Sequence, residues 1–149
     1  MNNRTFNNTA ALPYTLKVYL EDTDAGGFVY YANYLKYLER ARTEVLYHKG
    51  VCHAQLLKQQ KTMFVVYSLD INFLAPACLA DELNIYTEVE NIKGARVFLK
   101  QSIVKEGQLL VQASIVLVYI NLDSLIKKPL RIPDFIISAL NIQDKRIKV

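Results

Sequence analysis

A chain of 149 residues is the length of one ordinary domain, and its 52% apolar and 21% charged content excludes a disordered, collagen-like or coiled-coil protein. The net charge of +4 is mild, and half of it comes from the last nine residues, NIQDKRIKV. With no tryptophan and no long basic run it makes no nucleic-acid footprint, and it suits a small polyanionic ligand at least as well.

The opening MNNRTFNNTAAL is polar and lacks an apolar h-region, so it reads as a disordered lead-in over residues 1–12 rather than a secretory signal. A strand is predicted from Tyr14 to Leu20, where Leu16, Val18 and Leu20 alternate with Thr15, Lys17 and Tyr19. It runs into EDTDAGG (21–27), a turn composition. From Tyr30 to Lys49 the period changes. Tyr30, Tyr34, Tyr37, Leu38, Ala41 and Val45 recur at three- and four-residue steps, one face of a long helix that Gly50 stops. The segment VCHAQLLKQQ (51–60) has short helical character. Strands follow at Thr62–Phe73, 83–89, 97–104 and 109–120, with Gly94 and Gly107 at the turns. Pro133 opens a short helix, DFIISAL.

Short connections between the later strands argue for antiparallel neighbours. The order implies an α+β fold in which an antiparallel five-stranded sheet wraps around one long central helix. Residues 13–142 form that single domain and 143–149 a basic tail. An open sheet edge is a place for a second copy, hence a homodimer or, as a dimer of dimers, a homotetramer. No apolar run reaches the ~18 residues of a membrane span. Cys52 and Cys78 are too few for a disulfide scaffold, which points to a reducing, cytoplasmic location.

The chemistry-bearing run is Glu21 to Tyr34, EDTDAGGFVYYANY. Three carboxylates in four positions make a solvated helix-capping turn on local grounds alone. Two details point further. Asp24 precedes Ala25, Gly26 and Gly27, small residues that let a ligand approach the backbone. The helix that begins a few residues later presents unpaired N–H groups. A carboxylate beside such a helix start suits attack on a carbonyl whose oxygen gains negative charge.

The run VYLEDTDAGGFVYYANYLKYLERARTEVL closely resembles the YbgC-like acyl-CoA thioesterases of the 4-hydroxybenzoyl-CoA thioesterase group, whose fold is the hotdog. Their typical form is EDTDAGGVVYHANYL followed by ERARTE, and the likeness covers most of the chain. It implies hydrolysis of short- or medium-chain acyl-CoA, or of acyl groups on acyl carrier protein. Coenzyme A is then part of the substrate, and neither a cofactor nor a metal is required. Asp24 becomes the catalytic carboxylate, as nucleophile or as the base that activates water. The Tyr31 backbone amide becomes the oxyanion donor, and Gly26, Gly27 and Asn33 line the substrate. At Tyr31 the family commonly has histidine, and a tyrosine, titrating near ~10, is a poor base at neutral pH. The resemblance also admits a rival reading, a non-catalytic acyl-carrier-binding scaffold associated with Tol–Pal or phospholipid-synthesis proteins. A hotdog dehydratase fits less well, since this turn has no histidine.

Other residues compete for a role. Glu39 matches the helix glutamate that one branch of these enzymes uses, but its place in ERARTE suits an ion-paired surface residue. His48, Cys52 and His53 lack a fourth ligand of zinc spacing. Cys78 looks like a small packing residue. Lys93 and Arg96 flank Gly94 in a turn where related enzymes meet CoA phosphates, and Lys127, Lys128 and Arg131 form a second basic cluster.

Overall fold

The computed structural model describes residues 5–6, 12–123, 125 and 127–141. Strand β1 (Tyr14–Lys17) is followed by a 3-10 turn at Leu20–Asp22, helix α1 (Tyr31–His48) and a one-turn helix α2 (His53–Gln55), which continues as a wider π-helical turn, Leu56–Gln60. Strands β2 (Thr62–Phe73), β3 (Glu82–Lys93), β4 (Arg96–Lys105) and β5 (Gln108–Asn121) come next, then helix α3 (Asp134–Asn141). The sheet order is β1-β3-β4-β5-β2, with every neighbouring pair antiparallel.

The sheet and α1 share one core. Tyr34, Tyr37, Leu38, Ala41 and Leu46 of the helix are buried with Leu83 and Ile85 of β3, Leu99 and Ile103 of β4, and Val111 and Ile115 of β5. Each such side chain contributes roughly 1.5–3 kcal/mol relative to exposure. Leu46 replaces the expected Val45 on the buried face, and Tyr30 lies outside the helix with extended backbone as its N-cap. Gln101 crosses this core: its Nε2 donates to the Leu38 carbonyl at 3.0 Å and to Thr87 Oγ1 at 2.8 Å, fixing the helix against β3 and β4.

Several boundaries differ from expectation for local reasons. The first strand ends at Lys17 rather than Leu20. The Tyr19 N–H turns back onto Asp22 Oδ2 at 2.8 Å, and Thr23 Oγ1 donates to the Leu20 carbonyl at 2.8 Å. These polar side chains compete with the ladder and win. Strand β3 runs on to Lys93, four residues beyond Val89, because β4 continues to pair with it past a bulge. Pro133 stands just before α3, and its carbonyl accepts from the Ile136 and Ile137 amides.

In the lead-in, Thr5 bridges Gln108, and the Phe6 N–H donates to the Gly107 carbonyl at 3.0 Å. The basic tail 143–149 lies outside the described residues. Strand β2 is an edge, and its stretch from Val66 to Asp70 is exposed, including Val66, Tyr67 and Leu69. No helix among the described residues is long and apolar enough to cross a membrane.

Candidate active site

The acidic run folds as a small hairpin. The Asp24 N–H donates to the Phe28 carbonyl at 2.8 Å, the Gly27 N–H donates to the Asp24 carbonyl at 3.0 Å, and Thr23 bridges Val29. Such a three-residue loop ends in a left-handed residue, and Gly27, with φ +80, supplies it. Inside the loop the Gly26 N–H donates to Asp24 Oδ1 at 2.8 Å. Gly26 and Gly27 therefore shape the turn, and the Gly26 donor is already used.

The three carboxylates part company here. Asp22 caps Tyr19, while Glu21 makes no hydrogen bond among the described residues. Asp24 keeps its second oxygen free of hydrogen bonds among the described residues, and in the single chain it faces solvent. The Asp22 carbonyl accepts both the Tyr30 N–H and Asn33 Nδ2 at 2.9 Å. Asn33 thus clamps the hairpin base to the start of α1. Tyr31 is the first residue of α1, so its N–H has no intrahelical acceptor.

An aromatic wall stands beside this helix start. The Tyr31 ring is 5.0 Å from Tyr30 and 6.2 Å, edge-on, from Phe73 at the end of β2, and Phe73 is 5.7 Å from Tyr34. Phe28, Tyr30, Tyr31 and Phe73 are all exposed in the single chain. Hydrogen bonding to the Tyr31 side chain, and then the charge of that neighbour, push the Tyr30 phenol above its ordinary value.

The basic candidates lie elsewhere. Lys93 and Arg96 pair at the far end of β3 and β4, roughly 36 Å of strand contour from Glu82 at ~3.3 Å per residue. The Arg96 guanidinium sits 4.6 Å above the Tyr67 ring. Two clusters that are separate in sequence meet at this end. The Ile132 N–H donates to the Gly94 carbonyl at 3.0 Å and the Leu130 N–H to the Tyr119 carbonyl at 2.8 Å, which brings Arg131 beside the hairpin, while the Lys128 carbonyl accepts the Asn121 N–H at 3.2 Å at the end of β5. Lys127 instead donates to the Leu122 carbonyl at 2.9 Å. One chain alone does not bring Asp24 and these cations together.

Glu39 is exposed, accepts from Thr43 Oγ1 at 3.0 Å and lies about 12 Å along α1 from Tyr31 at ~1.5 Å per residue. His48 contacts the Glu44 carbonyl at 2.7 Å. His53 packs 6.3 Å from Phe64, and burial pushes its imidazole below the ordinary value. Among the described residues no cluster of three or more His, Cys, Asp or Glu side chains is arranged to hold a metal ion. The backbone of Cys78 bridges Phe28, which gives it a place beside the hairpin that a packing role alone does not describe.

Tyr34 was legible in the sequence only as a helix-face residue, and Asp81 was not singled out there at all. Both hold the segment on which the hairpin rests. The Ala77 N–H donates to the Tyr34 hydroxyl at 2.9 Å, and the Cys78 N–H donates to Asp81 Oδ2 at 2.8 Å. Lys105 Nζ meets Asp81 Oδ1 at 2.8 Å. Burial pushes the Asp81 carboxyl up, but the Lys105 ammonium and the Cys78 amide outweigh it, so the net displacement is downward.

A curled antiparallel sheet around one helix, with an acidic hairpin before the helix start, is the hotdog architecture of thioesterases. The same fold appears in a 4-hydroxybenzoyl CoA thioesterase mutant crystallised with 4-hydroxybenzoyl CoA (TM-score 0.82, 19% identity, 87% of this chain and 97% of that one). A probable thioesterase from Bartonella henselae superposes with a TM-score of 0.76 at 36% identity, over 81% of this chain and 98% of that one. The acyl-CoA thioester hydrolase YbgC of Escherichia coli O6:H1 is 39% identical over 132 residues, 88% of this chain and 96% of the relative. The thioesterase-like superfamily model matches residues 18–140. The chain belongs to that superfamily, as a YbgC-like acyl-CoA thioesterase.

Proposed function

We propose that this chain hydrolyses short- or medium-chain acyl-CoA, with acyl carrier protein as the other possible carrier of the acyl group, and that Asp24 and the Tyr31 N–H do the chemistry. The observation that carries this reading is the hairpin whose Asp24 oxygen is free of hydrogen bonds among the described residues and whose base, at the Asp22 carbonyl, is clamped by Asn33 to the start of α1, where the Tyr31 amide has no intrahelical acceptor. In one route Asp24 attacks the thioester carbonyl, CoA leaves as thiolate, and water hydrolyses the resulting anhydride. In the other, Asp24 takes a proton from water and the hydroxide attacks. In both, the carbonyl oxygen becomes an anion held by the Tyr31 N–H, an interaction of the kind worth about 3–4 kcal/mol of barrier. Neither route draws on a histidine at Tyr31, nor on a metal or redox group, because water, a carboxylate and an aligned amide suffice.

The site is completed by a second copy. Strand β2 is an exposed apolar edge, and an antiparallel edge can pair with itself about a two-fold axis. Such pairing sets the Phe73 end of one copy, where Tyr31 and the hairpin lie, beside the partner's Thr62–Tyr67 end. Arg96 stacks on Tyr67, so Lys93 and Arg96, with Lys128 and Arg131, then face the substrate's phosphates across the boundary. Free Cys52 and Cys78 suit the reducing cytoplasm where acyl-CoA is found.

The test is a thiol-release assay over a ladder of acyl-CoA chain lengths and acyl carrier protein thioesters. Turnover with a maximum at short or medium chains is expected. Binding of acyl-CoA without thiol release would overturn the hydrolytic reading.

A further inference from the structure

The hairpin carrying Asp24 does not stand alone. Its second arm, Gly27–Val29, pairs with the segment Ala77–Leu79: the Val29 N–H donates to the Ala77 carbonyl at 2.9 Å, Phe28 bridges Cys78, and the Leu79 N–H donates to the Gly27 carbonyl at 3.3 Å. That segment is pinned to α1 by the Tyr34 hydroxyl, which accepts the Ala77 N–H at 2.9 Å. Ala77 is 0% exposed and Tyr34 3%, so water does not replace this bond. Tyr34 also lies one turn after Tyr31 on the same helix. The element that offers the oxyanion donor thus grips the floor beneath the carboxylate.

From this geometry we infer that Tyr34 is a positioning residue, whose hydroxyl sets the spacing between the Asp24 carboxylate and the Tyr31 amide through Ala77 and Val29. The inference rests on the catalytic roles proposed above. Burial pushes the Tyr34 phenol up, so it stays a neutral hydroxyl at working pH. Its ring packs edge-on against Tyr37 at 6.1 Å and, tilted, against Phe73 at 5.7 Å, which holds the hydroxyl in one direction. A displacement of 1 Å between reacting groups costs about a hundredfold in rate, so a partial release of the floor has a measurable effect.

Tyr34→Phe keeps the ring and removes the acceptor. Its kcat for acyl-CoA is expected to fall about tenfold with KM within about twofold of the parent, by the same positional argument. Thr87→Val is the control. Its buried hydroxyl accepts Gln101 Nε2 at 2.8 Å inside the core, away from the hairpin and the basic end of the sheet, so it loses stability but keeps kcat. The decisive readout is the double variant. In an Asp24→Asn background, Tyr34→Phe should lower the residual rate by less than about twofold, since coupled residues are non-additive. Parent-like kcat in Tyr34→Phe, an equal loss in both backgrounds, or an equal loss in Thr87→Val overturns the inference. Should Tyr34→Phe not fold, Asp81→Ala removes the acceptor of the Cys78 N–H, releases the same segment from its other side and is read by the same criteria. Retained activity in Asp24→Asn itself overturns the catalytic assignment, and a failure confined to Tyr34→Phe overturns the positioning role alone.

Discussion

Alanine at Gly26 and at Gly27 should separate activity from stability within one turn. A Cβ on Gly26 would lie 3.2 Å from Asp24 Oδ1 and 3.4 Å from Phe28 Cδ2. Both neighbours are exposed and can yield a few tenths of an ångström, so folding loses little, about 0.5 kcal/mol. The group that yields is the carboxylate itself. With about a hundredfold in rate per ångström of misplacement, kcat should fall about three- to tenfold. Gly27 is the reverse case. Nothing lies within 4 Å of its Cβ, but φ is +80, and an L-residue there costs about 1–2 kcal/mol. That lowers the melting temperature by roughly 2–8 °C in a chain of this size, while the carboxylate keeps its neighbours. Thermal melts and initial-rate thiol release on the two variants make the comparison. Full kcat in Gly26→Ala, or a matching kcat loss in Gly27→Ala, would refute the placement of Asp24 as the reacting group.

Three further outcomes are expected. Asp81 has a folded value below its ordinary 3.8, so its contribution to stability is fully present above about pH 4 and is lost as pH falls through the lower folded value. Denaturant melts should show Asp81→Asn weaker than the parent by about 1 kcal/mol at pH 7 and nearly equal to it near pH 2, scaled to one charge-assisted bond; a gap that does not narrow refutes the ion pair. Arg96→Ala should raise KM for acyl-CoA about tenfold with kcat within twofold, as loss of one charge-assisted phosphate contact. Unchanged KM would remove Arg96 from the substrate. Leu69→Lys places a charge on the β2 edge and should shift sedimentation toward single chains, with activity falling in step. Full activity from single chains would show that the site needs no second copy.

What was legible in the sequence was what local chemistry decides. The glycines and aspartates of EDTDAGG specify a tight turn by themselves, and the tyrosine and leucine spacing of α1 specifies a buried face. The rest depends on partners distant in the chain. Nothing in EDTD alone says that Asp22 is consumed by the Tyr19 amide while Asp24 keeps a free oxygen, because either aspartate can cap a turn. Strand β2 has the composition of a core strand, yet its middle is exposed, since exposure follows from having β5 on only one side. Leu46 displaces Val45 because the helix phase at its far end is set by packing. Lys93 and Arg131 are neighbours only through the Gly94–Ile132 hydrogen bond, a contact no spacing rule announces. Asn33 shows the converse: a residue read as a substrate contact uses its amide to hold the hairpin base.

The most direct measurement is a crystal structure of the Asp24→Asn variant with an unhydrolysed acyl-CoA. Density is expected to show the thioester carbonyl oxygen accepting the Tyr31 N–H at about 2.9 Å, the ordinary amide hydrogen-bond length, with the carbonyl carbon facing position 24. A thioester seated beside Glu39, or anywhere remote from the start of α1, would contradict it.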